Sequence, residues 1–431
     1  MKNRSARATA LGASVLVLGA TLLTGSGATA AAGNPGVPAD PTVLLSEGFD
    51  TGVQPGSLTQ LEDYVPTFPT TYSADAPWLN PVAGNGLIID GTTPDSAFTA
   101  VGYLGVAPGV GSENMRELAT VLGNTAGKSQ GAANFAVTAY TDANPGANAI
   151  EFTTEAPLNL DAGGRFLTVS ANVAAVNCAR ALAPALVFYL VDGTTETRVN
   201  NTALNPCTTA PAGSDDAYAT TLLGGNAALF TGDAVGIVLR NEQGSGGGND
   251  HAYDDITLLD VTPQLDKKFT DEGKTLAPGT VTNLVLTVTN TSELSVKDGW
   301  SFTDNLPAGL TVAGDVVSTC DATVTAPVGA ASVVLNDGLL DAGEVACELT
   351  VPVKATATGT YTNSAANVSA VGLNLPGSSA VSYAAPAAPA GPGAPLTGLD
   401  EQSVWPLVGA GALGVVLLGG VAVQARRRHA A

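Results

Sequence analysis

Histidine, aromatic residues and charged residues are all scarce in this 431-residue chain. It has 2 histidines, and aromatic and charged side chains make up 5% and 13% of it. So few histidines leave little material for acid–base catalysis or zinc binding, and few aromatic rings argue against an extended sugar-binding surface. The charge that exists is one-sided, with 17 basic and 38 acidic residues. A net charge of −21 argues against nucleic acid as a partner.

The first thirty residues have the order of a secretory signal peptide. Basic residues come first, an apolar stretch follows over 10–23, and small residues close the segment at 28–30. This order predicts a signal peptide over 1–30 and export of the rest.

The C-terminal apolar run, 404–423, predicts a transmembrane helix, because about twenty apolar residues match the hydrocarbon core of a bilayer. Three arginines follow at 426–428, within a tail over 424–431. Their charge predicts a cytoplasmic tail. The two ends together predict a chain that is exported and held at the cell surface.

A short motif precedes the apolar run: Ala394, Pro395, Leu396, Thr397 and Gly398. It resembles the Leu-Pro-x-Thr-Gly sorting signal of Gram-positive, actinobacterial-type surface proteins, with Ala394 where that family has leucine. The resemblance implies that a sortase cuts between Thr397 and Gly398 and joins the chain to peptidoglycan. The order of motif, apolar run and basic tail favours this interpretation over an uncut membrane anchor.

The four cysteines fall into two local pairs, Cys178 with Cys207 and Cys320 with Cys347. The chain has no close Cys-x-x-Cys spacing, so zinc is excluded. Because an exported chain meets oxidising conditions, both pairs are predicted to be disulfides, although four cysteines allow three pairings. A loop of this size gives about 3 kcal/mol of stabilisation.

The composition between the two ends predicts an all-β fold, since threonine and valine are frequent and glycine and proline punctuate the chain. No long helical periodicity is apparent there. Alternating apolar residues over 167–173 and apolar runs at 185–191 and 235–239 predict a β-sandwich over 42–262. Shorter alternating segments predict a smaller immunoglobulin-like sandwich over 263–384. A Pro/Ala/Gly-rich stalk follows over 385–396.

The first sandwich resembles the jelly-roll modules of bacterial surface proteins and, more distantly, carbohydrate-binding modules. The resemblance depends on Leu-Leu-Ser-Glu-Gly-Phe-Asp at 44–50 and Asn-Asp-His-Ala-Tyr-Asp-Asp-Ile-Thr-Leu at 249–258. In carbohydrate-binding relatives an acidic residue on the first strand and an aspartate on the last ligate calcium, which implies Glu47 with Asp254 or Asp255 here. Calcium takes oxygen ligands. A solvated acidic turn is the alternative interpretation. Calcium is therefore one of two interpretations of these residues, and no other cofactor is predicted.

The second sandwich resembles a repeat domain that is widespread in bacterial surface proteins. The matching segments are Ala-Pro-Gly-Thr at 277–280, Leu-Thr-Val-Thr-Asn at 286–290 and Thr-Asp-Asn-Leu-Pro-Ala-Gly-Leu at 303–310. Members of that family serve as spacers or adhesin building blocks and have no known enzymatic activity.

Some fimbrial and adhesin β domains form an internal Lys–Asn isopeptide bond, promoted by a buried carboxylate. Lys267 or Lys268 on the first strand, Asn363 on the last and Asp304 between them resemble that arrangement. Alternatively the lysines are exposed and Asn363 caps a turn. The sequence favours this alternative, because lysines usually lie in water.

Few catalytic candidates remain. His251 lies near a strand end, which predicts a surface residue, and no Gly-x-Ser-x-Gly motif accompanies it. Trp78 and Trp300 are predicted to be core residues. We therefore predict a non-enzymatic structural or adhesive surface protein with an unidentified extracellular ligand. A carbohydrate-binding protein is the second interpretation and an extracellular hydrolase the third.

Overall fold

The computed structural model describes residues 34–386, except 69, 107–110, 129–130, 161–162, 180–181, 210–216 and 223–225. The predicted signal peptide, sorting motif, apolar run and basic tail lie outside these residues, as does the stalk from 387 onward. Within the described residues, no helix is both long and apolar enough to cross a membrane. The described chain is mostly β, with several antiparallel sheets in a sandwich-like arrangement.

The N-terminal part, which we call the first sandwich, contains two antiparallel sheets. The larger has the order β11-β8-β14-β5-β4-β2, with β1 on β14 and β12 on β8, and the smaller has the order β10-β9-β13-β6-β3, with β7 on β13. The strands are β1 Thr42–Glu47, β2 Leu58–Gln60, β3 Tyr72–Ser73, β4 Asn85–Ile89, β5 Ala136–Ala139, β6 Ala149–Thr154, β7 Leu158–Asn159, β8 Arg165–Val176, β9 Leu186–Asp192, β10 Thr195–Arg198, β11 Tyr218–Leu222, β12 Ala228–Phe230, β13 Ala234–Asn241 and β14 Asp250–Asp260.

Alternation along β8 explains how the larger sheet acquires two buried faces. Leu167 and Val173 point into the core between the two sheets, as the period of two predicts. Ala174 and Val176 point the other way and belong to a second apolar cluster. A helix covers that outer face.

This helix, α2 over Gly111–Thr125, contradicts the expectation of no long helical periodicity. Met115, Leu118 and Leu122 are fully buried and lie three and four residues apart, the spacing of one helical face. Polar residues between these positions hid the pattern. A shorter helix, α1 over Asp95–Ala100, precedes it. Single 3-10 turns are present at Leu61–Asp63, Pro81–Ala83, Gly131–Ala133, Pro206–Thr208 and Ala365–Asn367.

The C-terminal part, which we call the second sandwich, has its own apolar core. Its sheets have the orders β15-β17-β23-β19 with β20 on β23, β16-β26-β24, and β21-β22-β18-β25. The strands are β15 Gln264–Phe269, β16 Thr275–Leu276, β17 Thr282–Thr289, β18 Lys297–Asn305, β19 Leu310–Val312, β20 Val317–Ser318, β21 Asp321–Thr325, β22 Ser332–Leu340, β23 Ala346–Ala355, β24 Gly359–Asn363, β25 Val368–Val371 and β26 Ser379–Tyr383.

The two sandwiches share a packed junction. Phe166 of the first is fully buried in the apolar cluster of the second. A Cβ on Gly372, whose φ is +70°, would lie 2.8 Å from the Phe166 ring, so this contact requires glycine. Arg165 pairs with Asp260 at 2.5 Å and donates to Asn374 Oδ1 at 3.2 Å. One arginine thus binds side chains from both sandwiches.

Candidate isopeptide site

Lys267 is buried and its neighbour Lys268 is exposed, because successive residues of β15 point to opposite faces. The Lys267 side chain has no solvent-exposed surface. The expectation that both lysines lie in water is therefore wrong for Lys267. It holds for Lys268, which removes that residue from the candidate site.

Three strands from three different sheets bring the site together. Lys267 comes from β15, Asp304 from β18 and Asn363 from the last position of β24. The turn after β24 is capped by Ser364 with Asn367, so Asn363 is not the turn cap that the alternative interpretation required. Both Asp304 and Asn363 are fully buried.

The geometry places the asparagine amide between the amine and the carboxyl group. Lys267 Nζ donates to Asn363 Oδ1 at 2.6 Å and to the Ser364 carbonyl oxygen at 2.8 Å. Asn363 Nδ2 donates to Asp304 Oδ2 at 2.8 Å, and that oxygen lies 3.6 Å from Lys267 Nζ. The other carboxyl oxygen, Asp304 Oδ1, is buried and accepts no hydrogen bond from the described residues.

Burial favours the uncharged forms of both titrating groups. It lowers the pKa of Lys267 from 10.5 to about 8, against the opposing charge of Asp304. It also raises the pKa of Asp304, although Lys267 and the Asn363 amide act to lower it. The two pKa values therefore approach each other. A proton can pass from the lysine to the aspartate, which leaves an uncharged amine beside the amide.

Lys297 offers an instructive contrast in the same sandwich. It is also fully buried, and Nζ donates to Asn290 Oδ1 at 3.0 Å and to Glu293 Oε1 at 2.5 Å. The Asn290 amide nitrogen, however, donates to the carbonyl oxygens of Ser295 and Glu344 rather than to a carboxyl group. Burial acts to raise the pKa of Glu293, but hydrogen bonds from Lys297 and its neighbours outweigh it and the pKa is lowered. Lys297 and Glu293 therefore form an ion pair. No carboxyl group contacts the Asn290 amide nitrogen among the described residues.

Glu47, the predicted calcium ligand on the first strand, is already occupied by hydrogen bonds. Its Oε1 accepts from the Tyr64 hydroxyl at 2.9 Å and its Oε2 from the Tyr72 hydroxyl at 2.8 Å. The Phe49 amide also donates to Oε1, at 2.7 Å. Glu47 therefore anchors two tyrosines inside the core.

Asp254 and Asp255 lie where β14 changes partner from β5 to β1. Asp254 is fully buried, so the solvated acidic turn given as the alternative is wrong for this residue. Lys128 Nζ lies 3.7 Å from Asp254 Oδ2 and 3.8 Å from Asp255 Oδ1. No group of three or more His, Cys, Asp or Glu side chains in the described chain could hold a metal ion. Lys128 Nζ thus lies beside both carboxylates, in the place where the sequence suggested a calcium ion.

His251 is fully buried, which contradicts the surface position expected from the sequence. Its Nε2 lies 2.6 Å from Glu151 Oε2, and its Nδ1 lies 3.0 Å from the Asn249 carbonyl oxygen. Burial acts against the charged form, but Glu151 outweighs it and the pKa of His251 is raised. The pair is a structural element of the first core.

The four cysteines and two tryptophans, Trp78 and Trp300, lie as the sequence predicts. Cys178 pairs with Cys207 and Cys320 with Cys347. Trp78 and Trp300 are fully buried, so neither indole provides a surface for sugar binding.

Among known sequence families, one matches the second sandwich. Residues 263–384 match a family described as a domain of unknown function, DUF7933. They are the residues over which the sequence predicts the second domain. A search of curated proteins gives no match.

Solved structures show distant similarity to Gram-positive pilin and adhesin β-sandwich domains. A variant of BcpA, the major pilin subunit of Bacillus cereus, has 13% identity over 47% of this chain and 65% of its own, with a TM-score of 0.22. The N-terminal domain of the Streptococcus gordonii adhesin Sgo0707 has 12% identity over 58% and 61%, with a TM-score of 0.27. A tandem CBM22 domain of Paenibacillus barcinonensis Xyn10C has 11% identity over 74% and 98%, with a TM-score of 0.25. The chain thus spans just under two thirds of the pilin and adhesin structures, and TM-scores this low assign no function.

Proposed function

We propose that this is a structural or adhesive protein of the bacterial cell surface, whose second sandwich closes itself with an amide bond between Lys267 and Asn363. The observation that supports this most is the burial of an amine, a carboxamide and a carboxyl group within hydrogen-bonding distance of one another. Burial of a charged lysine costs free energy unless the charge is paired and hydrogen-bonded. An amide bond removes that cost, because it leaves no charge on the lysine.

The bond would form without a cofactor. Asp304 accepts the proton of the Lys267 ammonium, and the neutral amine attacks the Asn363 carboxamide carbon. A C–N bond forms to Nζ, and the bond from that carbon to Nδ2 breaks. Asp304 passes its proton to the leaving nitrogen and takes up the proton that Nζ releases, as a general acid–base. Ammonia departs, and one proton stays on Asp304, which suits a buried and uncharged carboxyl group.

The position of the bond indicates a mechanical role. It would join β15, the first strand of the second sandwich, to β24, near its end, across 96 positions. Tension applied to the two ends would pass through the amide, and the chain between the two residues could not extend. About 3.4 Å per residue would otherwise be released, or roughly 300 Å in total. Such a domain suits a spacer that carries load at a surface.

Export and anchoring, which the sequence predicts, would suit the same role. We propose that residues 1–30 are a signal peptide and that sortase joins Thr397 to peptidoglycan, with the run over 404–423 as the membrane helix. Two disulfides suit an exported chain. The first sandwich is then a jelly roll that presents an extracellular ligand site, carried on an immunoglobulin-like spacer.

Peptide mapping tests the bond directly. The denatured, reduced chain is digested with trypsin, and a branched peptide is expected that joins residues 241–268 to the peptide beginning at Ala355. It should be lighter than its two parts by one ammonia. Asp304→Asn should abolish it, whereas Lys268→Arg, a change at the exposed neighbour, should leave it in place. Separate linear peptides from the folded wild-type chain would overturn the proposal.

Cell fractionation tests the anchor. Release of the chain by a wall-digesting hydrolase, and its loss to the membrane fraction in Thr397→Ala, are expected. Extraction of the wild-type chain by detergent alone would contradict wall attachment and leave a membrane anchor.

A further inference from the structure

A second set of three residues has the same arrangement as Lys267, Asn363 and Asp304, in a place where the sequence suggested only metal ligands. Lys128 Nζ contacts Asn134 Oδ1, and Asn134 Nδ2 donates to Asp254 Oδ2 at 2.8 Å. Asp254 Oδ2 lies 3.7 Å from Lys128 Nζ. The corresponding distances in the second sandwich are 2.8 Å and 3.6 Å.

The two sets also have the same orientation. In both, the amide oxygen points toward the amine and the amide nitrogen toward the buried carboxyl group. This differs from Lys297, where no carboxyl group contacts the amide nitrogen. We infer that Lys128 and Asn134 form a second intramolecular amide bond, in the first sandwich, with Asp254 as the proton-transfer group.

The fold fixes the positions of Asn134 and Asp254. Asn134 follows the 3-10 turn Gly131–Ala133 and is 2% exposed, with Nδ2 also donating to the Ala119 carbonyl oxygen of α2. It can approach the helix because position 123 is glycine, where a Cβ would lie 2.5 Å from the Asn134 Cβ. Asp254 is fully buried at the irregular point of β14.

The reaction is the one proposed for Lys267. The neutral Lys128 amine attacks the Asn134 carboxamide carbon, the C–N bond to Nζ forms, and the bond to Nδ2 breaks. Nδ2 leaves as ammonia after receiving a proton through Asp254, and Nζ gives up one of its own. No other reactant is consumed. Burial raises the pKa of Asp254 well above its usual range, with Asp255 adding to the effect, so Asp254 can hold the proton.

One difference sets the rate. Asp50 Oδ2 binds Lys128 Nζ at 2.9 Å, and the Lys128 side chain is 31% exposed. Burial acts against the charge on Lys128, but Asp254, Asp50 and Asp255 outweigh it and raise its pKa. The neutral amine is therefore rarer than at Lys267. The second bond should form more slowly than the first, and it should form best between the raised pKa of Asp254 and the raised pKa of Lys128.

The bond would close a short loop rather than span a sandwich. It would tie the end of α2 to the start of β5, so its role is to fix the helix on the outer face of the large sheet. The two sites lie in different sandwiches, so each bond can form without the other. The reaction type assumed for Lys128 rests on the proposed function.

Trypsin distinguishes the outcomes, because it does not cut after an acylated lysine. Its sites in this region are Arg116, Lys128 and Arg165. The denatured, reduced full chain should yield one peptide over 117–165, lighter by one ammonia, after incubation at pH 9. Asp254→Asn should restore cleavage into 117–128 and 129–165. Asp50→Asn, which keeps an acceptor for the Phe135 amide but removes the charge, should increase the linked fraction at early times.

Complete cleavage after Lys128 in the folded wild-type chain, at both pH 7 and pH 9, would overturn the inference. If the branched Lys267 peptide is present in that sample, the proposed function stands and only the second bond fails. If trypsin does not cut after Lys128 and the branched Lys267 peptide is absent, the second bond stands and the Lys267–Asn363 bond of the proposed function fails. The intact Cys178–Cys207 disulfide in each variant, measured before reduction, checks that the first sandwich has folded.

Discussion

The amine of Lys267 lies 2.6 Å from the amide oxygen of Asn363, although 96 positions separate them in the chain. A contact of this range is produced only by the folded sandwich, so the chemistry proposed for the pair follows folding and cannot precede it. The bond would then preserve a topology that the β-strands have already selected.

Loss of the Lys267–Asn363 bond should lower stability strongly. Closing a loop of about 100 residues reduces the entropy of the unfolded chain by an amount worth about 5 kcal/mol. We expect Lys267→Met, which keeps an apolar stem of similar length, to lower the free energy of unfolding of the second sandwich by that order. Denaturant titration measures it, with Lys268→Arg as the control. A loss below about 1 kcal/mol, the range of an ordinary point substitution, would argue against a cross-link.

Formation of this bond should have a bell-shaped pH dependence. Below the raised pKa of Asp304 both groups carry protons and the amine cannot attack. Above about 8, the pKa of Lys267, the carboxylate has no proton for the leaving nitrogen. The rate should therefore be highest between these two values. Refolding of denatured, unlinked chain at different pH values, followed by mass spectrometry, measures it. A rate that rises steadily to pH 10 would contradict the role assigned to Asp304.

Lys297 should stay unlinked, and it should stabilise the fold as a charge. Lys297→Met leaves the partly buried Glu293 carboxylate unpaired, which costs about 3 kcal/mol. Lys274→Met is the matched control: Lys274 pairs with Asp271 but is 67% exposed, so a change within about 0.5 kcal/mol is expected. Thermal melts and tryptic maps measure both properties. Equal effects of the two substitutions would show that the Lys297 cluster has no special role.

The His251–Glu151 pair should make the first sandwich less stable as the pH rises. Because the folded pKa of His251 is raised, its contribution is complete below the unfolded value of about 6.5. It is then lost as the pH passes upward through the folded pKa. The difference in melting temperature between wild type and His251→Gln should shrink over that interval. A difference that grows with pH would show that the imidazole is neutral in the folded chain.

A chelator should leave the melting temperature unchanged, because Lys128 Nζ lies beside Asp254 and Asp255, where the sequence suggested a metal ion, and also binds Asp50. Melts with and without excess chelator, on protein purified in calcium, provide the measurement. A fall of several degrees would restore a metal to this part of the first sandwich.

The sequence predicted the strands and cysteine pairs because both depend on local patterns. Alternation along 167–173 defines β8, and proximity along the chain identifies the cysteine partners. It failed for α2, whose apolar spacing is interrupted by polar residues, and for His251, whose partner Glu151 is 100 positions away. It also could not decide between Lys267 and Lys268. That choice depends on which face of β15 meets the core, a property of the strand's register against β17.

The site formed by Lys128, Asn134 and Asp254 in the first sandwich could not be predicted from the sequence for a similar reason. Asp254 was noticed for its carboxylate, but Lys128 and Asn134 lie in a segment with no strand pattern and no motif. Only the approach of α2 to β14 brings the three together. A lysine and an asparagine six residues apart around Gly131 are the signal that could have suggested the site.

Trp78 and Trp300 are each enclosed in a different apolar core. Indole emission shifts when water reaches the ring, so each half of the molecule contains its own optical probe. With Trp405 replaced by phenylalanine, a chain that keeps one of the two would report the melting of one half alone. The order in which the two emission signals change would show which sandwich unfolds first.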